Sequence, residues 1–153
     1  VGRSFIVPTQ ARREQIVRQK LNPLKDVVRG KKVAVVDDSI VRGTTSKHIV
    51  KLLRESGAAE IYFVSAAPPI TCPCIYGIDM SIKREIIAAH YNPKQIAHYL
   101  DADAVIYQSL DDLRALYHDL PCCYACFCGE YPTGASDDIV RQIEEEKECS
   151  TRK

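Results

Sequence analysis

Val33-Ala34-Val35-Val36-Asp37-Asp38-Ser39-Ile40-Val41-Arg42-Gly43-Thr44-Thr45-Ser46 decides how this chain is read. An apolar run ends in two adjacent carboxylates, and a Gly-Thr-Thr-Ser turn then opens a stretch with helical spacing. The apolar residues from Lys32 to Val36 predict a buried strand, and Ile49, Val50, Leu52 and Leu53 predict a helix over Thr45–Ser56, closed by Gly57. The turn between them has the chemistry of an anion cradle. Glycine lets the backbone approach a ligand, hydroxyls add donors, and the free N–H groups of the helix point outward. It is not a Walker loop, because no Gly-Lys-Ser/Thr follows at the required spacing. It is not a dinucleotide fingerprint either, since Gly-x-Gly-x-x-Gly is absent. Asp37 and Asp38 sit where open α/β sheets bind ligands, at the carboxyl end of a strand. Their oxygens suit ribose hydroxyls or Mg²⁺. Asp-Asp alone reads equally well as a helix cap; the whole string does not.

The pattern extends outward from this string. A basic helix is expected over Gln10–Leu21, ended by Asn22-Pro23. A second strand is expected over Glu60–Ala66, a helix over Ser81–Ala89, and a helix opened by Asn92-Pro93 that runs to Leu100. A third strand follows over Asp103–Tyr107. Ser109-Leu110-Asp111-Asp112 resembles a capping box, with Asp in place of Glu, for a helix to Tyr117. A charged helix closes the chain over Asp137–Glu148. Strands alternating with helices mean α/β with a mostly parallel sheet. Three strands are few for such a sheet, and the chain begins with Val1, so it is expected to be N-terminally incomplete.

Composition narrows the function classes. The chain has 153 residues, 46% hydrophobic and 27% charged, enough for one core. No apolar run is long enough to span a membrane, and Val1-Gly2-Arg3-Ser4-Phe5 does not read as a signal or transit peptide. Net charge is +1, but residues 1–32 hold nine basic and two acidic side chains while the rest is net acidic. A basic front beside an acidic body suits an anionic small ligand better than a nucleic-acid duplex. Seven cysteines, four of them in Cys122–Cys128, read as metal or cluster ligation in a reducing, cytoplasmic compartment rather than as a disulfide framework. The four histidines show no metal spacing and are read as surface or packing residues. Asp79 reads as a helix cap, and Glu144-Glu145-Glu146 as a solvated face.

The Asp37–Ser46 string resembles the phosphoribosyl-diphosphate (PRPP) motif of type I phosphoribosyltransferases. Gly2-Arg3-Ser4-Phe5-Ile6, Lys20-Leu21-Asn22-Pro23, Pro68-Pro69-Ile70, Pro73-Cys74-Ile75-Tyr76-Gly77-Ile78-Asp79-Met80 and Cys126-Phe127 occur in the order of the glutamine PRPP amidotransferase family, up to about Thr133. The resemblance implies a type I phosphoribosyltransferase fold over residues 1–133, partial, with a C-terminal cysteine-bearing segment and a helical tail over 134–153. The family's N-terminal glutaminase domain is expected to be absent from this chain. It implies a glycosyltransferase that forms phosphoribosylamine from PRPP and ammonia drawn from glutamine, the first step of purine synthesis. Asp37 and Asp38 would take the ribose hydroxyls and Mg²⁺, with Ser39 beside them. Gly43, Thr44, Thr45 and Ser46 would hold the 5′-phosphate. Residues 2–21 would form a catalytic loop, in which Arg3 and Lys20 are candidates to face the pyrophosphate, with Arg12 and Arg13 also available. Cys74, Cys123 and Cys126 would ligate a [4Fe–4S] cluster whose fourth ligand lies outside this chain, unless Cys72, Cys122 or Cys128 substitutes. Zinc, or no metal at all, is the alternative on the residues alone. A homo-oligomer and inhibition by purine nucleotides are also implied, without nucleic-acid or membrane partners. By itself the chain is expected to hydrolyse no glutamine and to make little or no phosphoribosylamine. The competing readings are a nucleobase phosphoribosyltransferase and a non-catalytic PRPP-binding regulator.

Overall fold

A computed structural model of the chain describes residues 25–77 and 82–151. The expected helix over Gln10–Leu21, Arg3, Lys20 and Asp79 lie outside the described residues. Three strands form one sheet in the order β1-β2-β3: β1 Lys32–Asp37, β2 Glu60–Ser65 and β3 Ala104–Tyr107. The hydrogen bonds fix their sense. Ala59 N–H donates to Lys31 O (2.8 Å) and Ala66 N–H to Asp37 O (2.9 Å); Asp103 N–H donates to Ile61 O (2.8 Å) and Gln108 N–H to Ser65 O (3.1 Å). Residue numbers rise together on both partners, so all three strands are parallel. The helices are α1 Lys25–Val28, α2 Thr44–Glu55, α3 Pro93–Leu100, α4 Leu110–Leu116, α5 Ala125–Cys128 and α6 Asp137–Thr151.

The chain divides into two compact units. The first holds residues 25–36, Gly43–Val64 and Pro93–Ile106. Its core is Val50 of α2, Ile61 and Phe63 of β2, Ile96, Ala97 and Leu100 of α3, and Val105 of β3. Burial alternates along β2, as period 2 requires, and α2 packs against α3. Gly57 takes φ 88° after α2, and its N–H donates to Arg54 O (2.9 Å), which gives the expected helix stop. Pro93 stands at the first position of α3, where its missing N–H costs nothing.

The second unit holds Asp37–Arg42, Ser65–Asn92 and residues 107–151. Its buried apolar residues are Ile40, Ile70, Cys74, Ile82, Ile86, Ile87, Ala125 and Val140. Ser109 caps α4 as expected: its Oγ accepts from Asp112 N–H at 3.0 Å.

Two expectations are corrected. Lys32–Val36 is not a buried strand. It lies at the sheet edge with alternating exposure, and Val36 is 71% exposed. An apolar run shows capacity for burial on both faces; among the described residues one face of β1 is uncovered. Ser81–Ala89 is not one helix. Two 3₁₀ turns, Lys83–Glu85 and Ile87–Ala89, flank Ile86, whose extended backbone (φ −83°, ψ 111°) interrupts them. The apolar spacing survives because Ile82, Ile86 and Ile87 are all buried. A solvated face over Glu144–Glu146 holds for Glu145 and Glu146, whereas Glu144 is half-buried and accepts the Lys83 backbone N–H. No helix among the described residues is long and apolar enough to cross a membrane.

Candidate functional site

The acidic pair stands where β1 gives way to the loop Asp37–Arg42. Asp38 N–H donates to Asp37 Oδ1 (3.0 Å), and Ser39 Oγ donates to Asp38 Oδ1 (2.9 Å). Asp37 is half-buried and Asp38 is exposed. Burial pushes the Asp37 carboxyl above the usual range; the Asp38 N–H opposes this, and the Asp38 charge adds to the rise. Among the described residues, no cation is among the groups acting on Asp37. A half-buried carboxylate with a second beside it and no positive partner is an electrostatic deficit that a divalent cation or hydroxyl donors would relieve. The donor set, two hard carboxylates, fits Mg²⁺.

The anion-cradle half begins at Gly43. It adopts the left-handed conformation, φ 75° and ψ −5°, as the N-cap of α2. A side chain there would be strained, so glycine is required by the backbone. Lys47 N–H donates to Gly43 O at 2.8 Å and starts the helix. No side chain caps this end, and no acidic residue lies in the first turn. The first N–H groups of a helix have no intrahelical acceptor, and the helix dipole places partial positive charge among them. Thr44 and Thr45 are exposed, whereas Ser46 is 3% exposed. The end of a twelve-residue helix is therefore left open to an anion.

The cysteines gather in the second unit. Thr71 and Cys72 N–H groups donate to Cys126 O (2.9 and 3.0 Å), Thr71 Oγ1 donates to Phe127 O (2.9 Å), and Tyr131 Oη donates to Pro73 O (2.8 Å). These bonds hold residues 71–74 against α5 and the segment after it. Burial pushes the Cys126 thiol up to about 11, with Cys74, Cys123 and Cys72 adding to the rise. Cys74 is buried and Cys123 exposed. Among the described residues, however, no three ligating side chains lie close enough together to hold a metal ion. As they stand the thiols do not fit a cluster, and no chemistry is derived through one.

Sequence reasoning missed two features, the partner of Arg42 and the burial of Tyr107, and left His48 as a surface or packing residue. The Arg42 guanidinium is bound by Glu85 through Nε (2.7 Å) and Nη2 (2.6 Å). The Tyr107 hydroxyl, at the end of β3, is buried without a partner among the described residues, and burial pushes it up to about 12. His48 Nε2 on α2 is likewise buried and has no partner among the described residues. For Tyr107 the available signal was its place at the carboxyl end of a parallel strand; for Glu85 there was none.

Known proteins resemble the chain along nearly its whole length. It is 45% identical to amidophosphoribosyltransferase of Saccharomyces cerevisiae over 157 residues, covering 97% of this chain and 30% of the yeast protein. It is 48% identical to the Bacillus subtilis amidophosphoribosyltransferase (92% of this chain, 31% of that protein) and 47% identical to that of Methanocaldococcus jannaschii (87% and 28%). Two solved structures share the fold. One is glutamine PRPP amidotransferase from B. subtilis complexed with ADP and GMP, at TM-score 0.70, 45% identity and 89% coverage of this chain. The other is described as the allosteric regulatory enzyme of purine biosynthesis, at TM-score 0.69, 39% identity and 94% coverage. The chain spans 31% and 32% of those two structures. No protein-family model matches. With 45–48% identity to these relatives along nearly its whole length and a fold shared at TM-score 0.70, the chain belongs to the amidophosphoribosyltransferase family, as the counterpart of about 30% of its members' length.

Proposed function

We propose that this chain supplies the PRPP-binding part of an amidophosphoribosyltransferase, the enzyme that turns PRPP and glutamine into phosphoribosylamine, pyrophosphate and glutamate. The observation that carries the reading is the uncapped start of α2 behind a left-handed Gly43, six residues after a strand that ends in an acidic pair whose half-buried member, Asp37, is raised by burial.

In this reading, the first-turn N–H groups of α2 and the hydroxyls of Thr44 and Thr45 bind the 5′-phosphate, with Ser46 on the buried side of the same turn. Asp37 and Asp38 accept hydrogen bonds from the ribose hydroxyls and orient the sugar. Ser39 holds the Asp38 carboxylate in place by the 2.9 Å hydrogen bond already described. Mg²⁺, held by Asp37 and Asp38, would supply charge neutralisation for the diphosphate. Catalysis of this kind rests on positioning and on charge stabilisation of the departing group, because a ribosyl cation-like transition state needs little else from a protein. Arg3 and Lys20 are the candidates to face the pyrophosphate. A cluster on Cys74, Cys123 and Cys126, completed by a residue outside this chain, would require these thiols to come closer together than they stand here. Anaerobic reconstitution with iron and sulfide followed by absorption spectroscopy tests that part; an unchanged spectrum would count against it. Ammonia delivered from glutamine, purine nucleotide inhibition and a cytoplasmic homo-oligomer belong to the same proposal. The names of the relatives support it over a nucleobase transferase or a regulator.

The test is calorimetric titration of PRPP with Mg²⁺ into the 153-residue chain. Binding is expected, and Asp37→Asn together with Asp38→Asn is expected to weaken it by at least about tenfold, the loss of one to two charge-assisted hydrogen bonds. Equal binding by the wild type and the double variant would sink the assignment of the acidic pair.

A further inference from the structure

Residues 37–42 are held from outside by four polar contacts, all within the second unit. Ala66 N–H donates to Asp37 O (2.9 Å) and Ala67 N–H to Asp38 O (3.0 Å). Ile87 N–H donates to Val41 O (2.9 Å), and the Ile40 side chain is buried at 1% exposure. The fourth hold is ionic. Glu85 Oε2 receives both Nε and Nη2 of Arg42, at 2.7 and 2.6 Å, across 43 residues of sequence. Glu85 sits in the first 3₁₀ turn, one residue before Ile86, which is fully buried, and two before Ile87. The carboxylate is thus anchored to the core through its own backbone neighbours.

Arg42 immediately precedes Gly43 and would pass, on residue type alone, for a phosphate contact. In the structure its guanidinium is turned to Glu85 and its charge is already matched. An exposed ion pair is worth little by itself. A guanidinium held by two nitrogens, however, has a fixed orientation, and fixing orientation is what a binding loop needs.

We propose that Glu85 is a positioning residue of the ligand loop. Its carboxylate clamps Arg42 and so sets the course of the backbone from Asp37 to Arg42. Arg42 acts through that clamp and does not touch the phosphate. This rests on the PRPP-binding reading of the loop, which it deepens.

The test is a double-variant cycle in the full 153-residue chain: Arg42→Ala, Glu85→Ala and both together. PRPP affinity with Mg²⁺, thermal midpoint, and amide exchange at Val41, Arg42 and Ile87 are read for each. Either single change is expected to weaken PRPP binding about three- to tenfold. The pair together should be no worse than either alone, because both remove one clamp. Midpoints should stay close to wild type while exchange at Val41 and Ile87 accelerates. Glu85→Gln, which keeps an acceptor, should recover part of the affinity. Tighter binding by Glu85→Ala would overturn the proposal, since a freed Arg42 would then be reaching the phosphate. Weaker binding by Arg42→Ala with unchanged Glu85→Ala would do the same. If the wild type takes up no PRPP, the functional reading falls; the exchange measurement still decides the clamp, and unaltered exchange in Glu85→Ala refutes it.

Discussion

Replacing Asp103 with alanine should destabilise the first unit more than its surface position suggests. Asp103 Oδ2 accepts the Ile61 backbone N–H at 2.7 Å and Arg54 Nη2 at 2.7 Å. Ile61 is fully buried, so its amide has no water to turn to. Arg54 also donates to Asp101 O (3.3 Å from Nε, 3.2 Å from Nη2) and to Ala59 O (3.2 Å), so this guanidinium ties the end of α2 to the starts of β2 and β3. Leaving the Ile61 N–H unpaired costs about 1–3 kcal/mol. The ion pair, with side chains 29% and 38% exposed, adds about 0–1 kcal/mol. The expected loss is about 2–3 kcal/mol, seen as a midpoint lower by roughly 5–10 °C. Asp103→Asn keeps an acceptor for Ile61 and should lose only about 1 kcal/mol. Urea unfolding followed by far-UV circular dichroism measures both. The pH dependence has a definite sign. The Ile61 N–H, and after it Arg54, hold the Asp103 carboxyl below its usual range. Its stabilisation is therefore present above the ordinary aspartate range and is lost as pH falls through the depressed folded value. The gap between wild type and Asp103→Ala should close in that acid window. A gap below about 0.5 kcal/mol at neutral pH, or an Asn variant as weak as the Ala variant, would refute the reasoning.

Gly43→Ala forces a Cβ into the left-handed region and should cost about 1–2 kcal/mol along with PRPP affinity, whereas Gly43→Asn should be milder because Asn visits that region. Thermal melts and calorimetry would expose an error if alanine behaved like glycine. Asp37 has the opposite sign from Asp103. Its carboxyl is raised by burial, so ionising it opposes folding, and stability falls as pH rises from the unfolded aspartate value through the raised folded one. Asp37→Asn should therefore melt slightly higher than wild type at neutral pH while losing Mg²⁺-dependent PRPP binding. Protons should compete with Mg²⁺ as pH falls through the raised value. A lower midpoint for Asp37→Asn would contradict the unpaired-charge argument.

The site half that was legible in the sequence is the half made by neighbours in the chain. Strand, acidic pair, Gly43 and helix are consecutive, and each follows from a local preference: an apolar run, carboxylates, a residue free to take φ 75°, and helical apolar spacing. Ser109, Gly57 and Pro93 were readable for the same reason, because caps and stops act within four residues. The short helix Ala125–Cys128 was not, since its closing residue Gly129 (φ 78°) stood inside a segment read for its cysteines. Ser81–Ala89 misled because periodic isoleucines mark what is buried, not which backbone delivers it; an extended Ile86 buries three isoleucines without a helix.

Sequence by itself determined the strand–turn–helix around Gly43, the acidic pair at the strand end and the parallel α/β class, because these arise from interactions between residues close along the chain. Tertiary structure alone decided that Arg42 is spoken for by Glu85, 43 residues away, that Asp103 closes the Ile61 amide and the Arg54 guanidinium 42 and 49 residues away, and that β1 is an edge with Val36 exposed. A charge shows that a side chain can pair, and an apolar run that a strand can be covered. Which partner arrives depends on how distant segments pack, and no local pattern encodes that.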